Sequence, residues 1–269
     1  MTSQFRLLTM LFTLLIATAL CGWSYPTIYG DTGLVLSPTA DTIPAYNADF
    51  AVDYARIDVN GTGEGATTIP VRLNYGVTPS AEIFAFFAEG KNDVAIENFG
   101  GGAKINLVRQ HDGDKWNPGL ALGVRIDRQQ GVRNTTISDV YAVSSATLFK
   151  FSDPYEEKGY RVRAHAGLEY ANFTGDLEND FVSGFAGLSY ESNGGGSAVI
   201  EFLPSLEDNG FTFRESTVSG ALRFPLSREF SLEMGGTRPF ATGDMSFYGG
   251  ILYHIGPCNE ESQLPTVEY

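Results

Sequence analysis

The sequence predicts an all-β protein: a single antiparallel transmembrane β-barrel of about 12 strands, preceded by an N-terminal signal peptide. From residue 48 onward, segments of alternating apolar and polar residues follow one another, separated by turn residues. Tyr and Phe, at 13 and 19 of 269 residues, favour strands, and Gly, at 31, is frequent in turns. No segment has a convincing helical period, and no polar linker divides the chain, so one barrel domain is the expected organisation.

The first 24 residues have the features of a secretory signal peptide. Arg6 gives a weakly basic start, residues 7–19 are almost continuously apolar, and small residues at 17–19 and 22–24 offer two cleavage sites. The apolar run is shorter than a transmembrane helix requires. We therefore expect an exported protein, with no other stretch of the sequence able to span a membrane as a helix.

The two cysteines leave two questions open. Cys21 would be lipidated if it followed a small residue in a lipobox, but Leu20 stands before it. If cleavage leaves Cys21 in the chain, an oxidising compartment would permit a Cys21–Cys258 disulfide. The sequence alone decides neither.

The predicted strands are long enough to cross a bilayer at a tilt. In one of them Ile69, Leu73 and Tyr75 share an apolar face, while Arg72 and Asn74 occupy the other. The candidate strands are about 48–58, 67–78, 81–90, 99–110, 118–129, 138–151, 160–173, 180–192, 196–204, 216–227, 230–239 and 245–256.

The connections favour an outer-membrane barrel over a soluble β-sandwich or soluble barrel. Tight turns such as "GVTPSAE" alternate with longer acidic connections such as "LEDNGFTFRES", as short periplasmic turns alternate with external loops. Charges near strand middles and aromatic residues near strand ends point the same way. With an even number of strands, both chain ends return to the periplasm.

We divide the chain into a signal peptide (1–24), a periplasmic lead-in (25–47), the barrel (48–256) and a periplasmic tail (257–269). In the lead-in, Gly33, Pro38 and Pro44 disfavour a regular strand. Two interpretations stay open: a loose leader, or a plug in which residues 34–36 fold into the periplasmic mouth and narrow the lumen.

If the apolar faces point to lipid, the opposite faces line the lumen. Their charges are nearly balanced, so that most of the net charge of −14 falls in loops, turns and tail. These residues either form ion pairs that hold the barrel closed or narrow, or they form a basic track for an anionic or sugar substrate. The lumen-lining residues, besides Asp53, are Arg72, Lys104, Arg125, Asp127, Arg161, Arg163, His165, Glu169, Glu201, Arg223 and Glu233.

Signals for an enzyme are poor. No nucleophile elbow, metal-spaced His pair or phosphate loop occurs, so we predict no catalytic residues, no metal and no cofactor. His165, near Glu169 on the same strand, is the residue on which an enzyme hypothesis would depend. The negative net charge argues against a nucleic-acid partner.

Two short motifs resemble those of known outer-membrane proteins. Gly250, Tyr253 and Ile255 match the C-terminal signal of barrels that the barrel-assembly machinery inserts, although Tyr248 and the following tail depart from it. Residues 32–54, "TGLVLSPTADTIPAYNADFAVDY", resemble the start of YjbH-type outer-membrane barrels. The matching residues are Gly33, Leu34, Pro38, Thr39 and Ala40.

The YjbH-type family is associated with exopolysaccharide production or export, so the resemblance implies a non-enzymatic structural or narrow-channel component. Its partners would be outer-membrane lipid and lipopolysaccharide, the barrel-assembly machinery and a polysaccharide. The alternatives are a passive or oligosaccharide-selective porin, which would use the basic track, and an outer-membrane enzyme. A fold or motif by itself does not determine which of these activities the chain has.

Overall fold

A computed structural model of the chain describes residues 25–58, 65–91, 97–110, 117–131, 134–152, 159–176, 178–208, 211–240 and 246–256. The predicted signal peptide, the predicted tail and both cysteines lie outside these residues. Lipidation of Cys21 and the Cys21–Cys258 disulfide therefore stay predictions.

The described residues form β-strands joined by turns. None of them forms a helix long and apolar enough to cross a membrane. The strands are β1 (Ala48–Asp58), β2 (Gly65–Thr78), β3 (Ala81–Lys91), β4 (Glu97–Val108), β5 (Gly119–Gln130), β6 (Thr135–Ser152), β7 (Gly159–Gly175), β8 (Asn179–Ser192), β9 (Ser197–Leu203), β10 (Leu206–Asp208), β11 (Phe211–Arg214), β12 (Thr217–Pro225), β13 (Phe230–Pro239) and β14 (Ser246–Ile255).

Twelve of these strands close into one antiparallel barrel, which confirms the predicted fold class. Neighbours in the chain are neighbours in the barrel, and the pairing of β1 with β14 closes it, with Ala48 opposite Ile255. We call the end of the barrel at Ala48 and Ile255 the terminal mouth. The opposite end, at Asp58 and Pro239, is the loop mouth.

The remaining strands, β10 and β11, pair with each other as a hairpin between β9 and β12 at the loop mouth. The sequence predicted an irregular acidic connection here. Strands of 3 and 4 residues are too short to display an alternating pattern, which is why the hairpin was missed.

The two faces of the barrel are reversed relative to a soluble protein. Val124 and Ile126 point outward and are 50% and 59% exposed, whereas Arg72 and Lys104 point inward and are 1% and 2% exposed. A closed barrel has no free strand edge, so its backbone can be satisfied in lipid, and an apolar outer surface suits that environment. This is the surface of a membrane-spanning barrel.

Glycine in β4 allows aromatic rings to lie flat against the inner wall. A Cβ on Gly100 would stand 2.6 Å from the Phe86 ring, and one on Gly102 would stand 2.6 Å from the Phe84 ring. Both rings point inward from β3 and are buried. The Gly-Gly-Gly run therefore makes room for the packing of two neighbouring side chains.

Candidate functional site

The lead-in segment, residues 25–47, lies inside the barrel. Leu34, Val35 and Ile43 are at most 1% exposed. The segment forms no regular strand; isolated bridges between Pro26 and Thr32 and between Gly33 and Pro38 fold it back on itself. A Cβ on Gly33 would stand 2.8 Å from the Pro38 Cα, so this close approach requires glycine.

The lead-in segment enters and leaves through the terminal mouth. The Tyr25 hydroxyl donates to the carbonyl of Gly195, in the turn between β8 and β9, at 2.8 Å. The Tyr46 N–H donates to the carbonyl of Gly76 at 2.7 Å, next to the start of β1. Between these ends the segment reaches inward, where the Tyr29 ring lies 4.0 Å from the Arg125 guanidinium.

Glu233 is the centre of a buried ion-pair network on the inner wall. It accepts from Arg72 and from Arg223, each at 3.0 Å, and Arg72 also pairs with Asp53 at 2.8 Å. All four side chains are at most 3% exposed. Other N–H groups of the two arginines donate to lead-in carbonyls: those of Pro26 (2.8 Å), Thr27 (3.0 Å), Gly33 (3.1 Å) and Leu34.

A second buried pair, Glu82 with Lys104 at 2.9 Å, binds the same segment from β3 and β4. The Glu82 carboxylate accepts from the Thr32 N–H at 2.8 Å, from the Thr32 hydroxyl at 2.7 Å and from the Ile43 N–H at 2.8 Å. The Lys104 ammonium donates to the Thr32 carbonyl at 2.7 Å. Both charges are thus satisfied partly by each other and partly by the lead-in backbone.

Two further wall residues hold the later part of the lead-in segment. Glu201 accepts from the N–H groups of Leu36 and Ser37 at 2.6 and 3.0 Å. Arg163 forms a bidentate ion pair with Asp41, in which its two terminal N–H groups donate to the two carboxylate oxygens. Burial raises the pKa of the Asp41 carboxyl, but the Arg163 guanidinium lowers it by more, so its pKa lies well below the usual range. This ion pair therefore persists on mild acidification.

His165 belongs to a hydrogen-bonded chain and not to an open site. Its Nδ1 lies 2.8 Å from the Ser145 hydroxyl and its Nε2 lies 3.0 Å from the Ser189 hydroxyl. The Ser145 oxygen also accepts from the Ala40 N–H at 2.9 Å. His165 and Ser145 are 2% and 0% exposed, so no substrate reaches the pair in this arrangement.

The hairpin of β10 and β11 contacts the inner wall from the loop mouth. The Arg214 guanidinium donates to Glu169 at 2.6 Å and to the Ser183 hydroxyl at 2.8 Å, and Leu206 is buried. Glu169, which the sequence placed near His165, is thus the partner of an arginine from the hairpin. Sequence reasoning missed Arg214 because the hairpin itself was missed.

The inner wall is more acidic than the near balance of charges that the sequence indicated. Arg125 pairs with Asp139 at 2.8 Å and Arg161 pairs with Glu191 at 2.5 Å, so these cations also have carboxylate partners. Four further acidic residues point inward, and the alternation of the strands predicts this direction for each of them. They are Asp49, Glu82, Asp139 and Glu191, and with them the carboxylates on the described inner wall outnumber the cations.

The motif residues occupy different surfaces. Tyr253 and Ile255 point outward, with the Tyr253 ring 4.8 Å from that of Phe230, and Gly250 lies against Asp53. Their role in assembly stays a prediction. The YjbH-like motif, residues 33–40, lies wholly within the buried lead-in segment.

Among the described residues, no group of three or more His, Cys, Asp or Glu side chains is arranged to hold a metal ion.

The chain has distant similarity to solved structures of outer-membrane proteins. No family model matches the chain, and no curated protein matches it either. The KdgM porin is 6% identical, with a TM-score of 0.48, over 77% of this chain and 99% of that one. The β domain of the Bordetella autotransporter BrkA is 13% identical, with a TM-score of 0.43, over 77% and 99%.

The translocator domain of the autotransporter NalP from Neisseria meningitidis is 10% identical, with a TM-score of 0.38, over 78% of this chain and 87% of that one. At these values the similarities carry no argument about a shared activity. The barrel assignment rests on this chain's own strand pairing, and the resemblance to YjbH-type proteins stays a prediction.

Proposed function

We propose that this protein is a non-enzymatic outer-membrane β-barrel, kept closed by its own lead-in segment, that acts as a narrow-channel component in surface polysaccharide production or export. One observation carries the proposal: buried charges of the wall bond to the backbone of the lead-in segment. Side chains alone can fill a barrel of about eight strands, whereas wider barrels leave a lumen. In a barrel of twelve strands, a folded segment occupies that space.

Separate observations support the proposed location of the protein in the outer membrane and each of its proposed partners. The apolar outer face and the predicted signal peptide support insertion in the outer membrane, in contact with lipid and lipopolysaccharide. Gly250, Tyr253 and Ile255 support recognition by the barrel-assembly machinery. The link to polysaccharide rests on the YjbH-like motif in residues 33–40 alone.

If the protein is instead a porin, the structure changes the ion selectivity that we expect of it. A basic track predicts preference for anions, but the inner wall carries more carboxylates than cations, so an opened lumen should prefer cations. The enzyme alternative predicts that His165→Ala abolishes hydrolysis of a lipid or glycan. The buried position of His165 between two serines gives that alternative no support.

Removal of residues 25–44 tests the proposal. In planar lipid bilayers the full chain should conduct weakly, whereas the shortened chain should give stable steps at least about tenfold larger, because a wide barrel without its filling leaves an aqueous path. Heat-modifiable gel mobility of the shortened chain serves as the control for a folded barrel. A folded shortened barrel with unchanged conductance would contradict the closed-channel proposal.

A further inference from the structure

One buried carboxylate of the inner wall has no charged partner. Asp127 on β5 is 2% exposed; its Oδ2 accepts from the Gln129 amide at 3.2 Å, and the Asn98 side chain is a second neutral partner of the carboxylate. The Asp127 Oδ1 has no hydrogen-bond partner. The other buried carboxylates of the described strands each have a cationic, imidazole or backbone N–H partner, as Asp139 has Arg125. Asp127 therefore has neutral partners and no ion pair, since the nearby cation Arg125 is paired with Asp139.

Two more oxygens without partners lie beside it. In the barrel register, Gln129 stands opposite Asn98 on β4 and opposite Thr135 on β6. The Asn98 Oδ1 and the Thr135 Oγ1 are buried and make no hydrogen bond. Asp127, Asn98, Gln129 and Thr135 thus form one inward patch across three strands at the loop mouth. We call it the Asp127 patch.

The chemistry of the Asp127 patch suits a hard cation. Carboxylate, carboxamide and hydroxyl oxygens are ligands of Ca²⁺ and Mg²⁺, whereas the imidazole and thiolate groups that softer metals prefer do not occur in the patch. The flip of an Asn or Gln carboxamide exchanges its oxygen and nitrogen in place, so Asn98 and Gln129 can both present oxygen. The unpartnered oxygens have almost no accessible surface, so a group as large as a sugar ring does not reach them.

We propose that the Asp127 patch binds a divalent cation, with Ca²⁺ preferred over Mg²⁺ because Ca²⁺ tolerates irregular coordination. The ion neutralises Asp127 and joins the loop-mouth ends of β4, β5 and β6. With one carboxylate among four protein ligands, the affinity falls in the weak range of extracellular Ca²⁺ modules, a Kd of about 10⁻⁴–10⁻³ M. This site is independent of whether the barrel conducts.

Calcium titration of the full chain tests the site. Protein in detergent micelles is stripped with a chelator and titrated with CaCl₂ alone by calorimetry. The wild type should bind with a Kd of about 10⁻⁴–10⁻³ M, and Asp127→Asn should weaken binding at least about tenfold. Asp180→Asn is the matched control, since Asp180 is an exposed strand carboxylate on the outer face. Absence of binding by the wild type, or equal binding by Asp127→Asn, would overturn the proposal.

Thermal unfolding distinguishes a specific site from surface binding. Calcium should raise the temperature at which the compact gel band disappears for the wild type and for Asp180→Asn, but not for Asp127→Asn. Without calcium, Asp127→Asn should be at least as stable as the wild type, because a buried carboxylate that lacks an ion pair is replaced by a neutral amide. If Asp127→Asn fails to fold, Thr135→Val removes one ligand with little change of shape. Unchanged calcium affinity in Thr135→Val would then refute the site.

Discussion

Glu233→Gln is expected to destabilise the barrel by about 3–5 kcal/mol. The substitution keeps the shape of the side chain and removes the charge shared by Arg72 and Arg223. Arg72 would retain Asp53, but Arg223 would be left with neutral partners, the lead-in carbonyls and the Tyr25 ring. The cost arises because a buried guanidinium loses its counter-charge without regaining water.

Urea titration of the barrel in lipid vesicles measures this free energy of unfolding. Glu191→Gln is the matched control, because the nearer partner of Glu191, Arg161, has a side chain that is 41% exposed. A partly exposed pair of this kind contributes about 0–1 kcal/mol to the free energy of unfolding. The second partner of Glu191, Arg163 at 3.8 Å, keeps the carboxylate of Asp41. Equal, small effects of the two substitutions would show that the Glu233 network is hydrated and not buried.

Val124→Arg is expected to destabilise the barrel by about 2–4 kcal/mol, the cost of a cation on the lipid face near the bilayer midplane. Val124 lies in the middle of β5, points outward and is 50% exposed. In a soluble barrel the same substitution would place a charge in water and would cost little. The unfolding free energy in vesicles therefore reports whether the apolar face meets lipid.

Ile255→Arg is the depth control for this experiment. Ile255 is also 50% exposed and points outward, but it ends β14 at the terminal mouth. An arginine there can reach the interface, so the expected cost is about 0–1 kcal/mol. Similar costs at both positions would argue against a bilayer around the middle of the barrel.

The strands were largely predictable because each has one apolar face and one polar face. The predicted segment 48–58 coincides with β1, and the predicted 81–90 falls one residue short of β3. Alternation with period two identifies both the strand and the direction of each side chain. Strand ends were less well placed, as at β6, which begins at Thr135 and not at residue 138.

The interior of the barrel was only partly predictable. Wall residues such as Arg72 and Glu201 could be assigned to the inner face from alternation, but their partners are backbone groups of the lead-in segment. Any residue except proline supplies the same N–H and carbonyl, so no sequence pattern marks these contacts. The breaker residues Gly33 and Pro38 indicated only that the segment is irregular.

The placement of the lead-in segment inside the barrel is the central claim, and a disulfide tests it most directly. Ala40 in the lead-in segment lies opposite Gly119 of β5, where a Cβ would stand 3.4 Å from the Ala40 Cβ, close to the separation found in disulfides. The pair Ala40→Cys and Gly119→Cys is introduced with Cys21 and Cys258 changed to Ser, and cross-linking is measured by mass spectrometry of protein from intact membranes.

The control pairs Ala40→Cys with Leu120→Cys, because Leu120 is the next residue of β5 and points outward. A lead-in segment inside the barrel predicts a cross-link for the pair at 40 and 119 and none for the pair at 40 and 120. Absence of the first cross-link under oxidising conditions, or equal formation of both, would contradict a lead-in segment folded within the lumen.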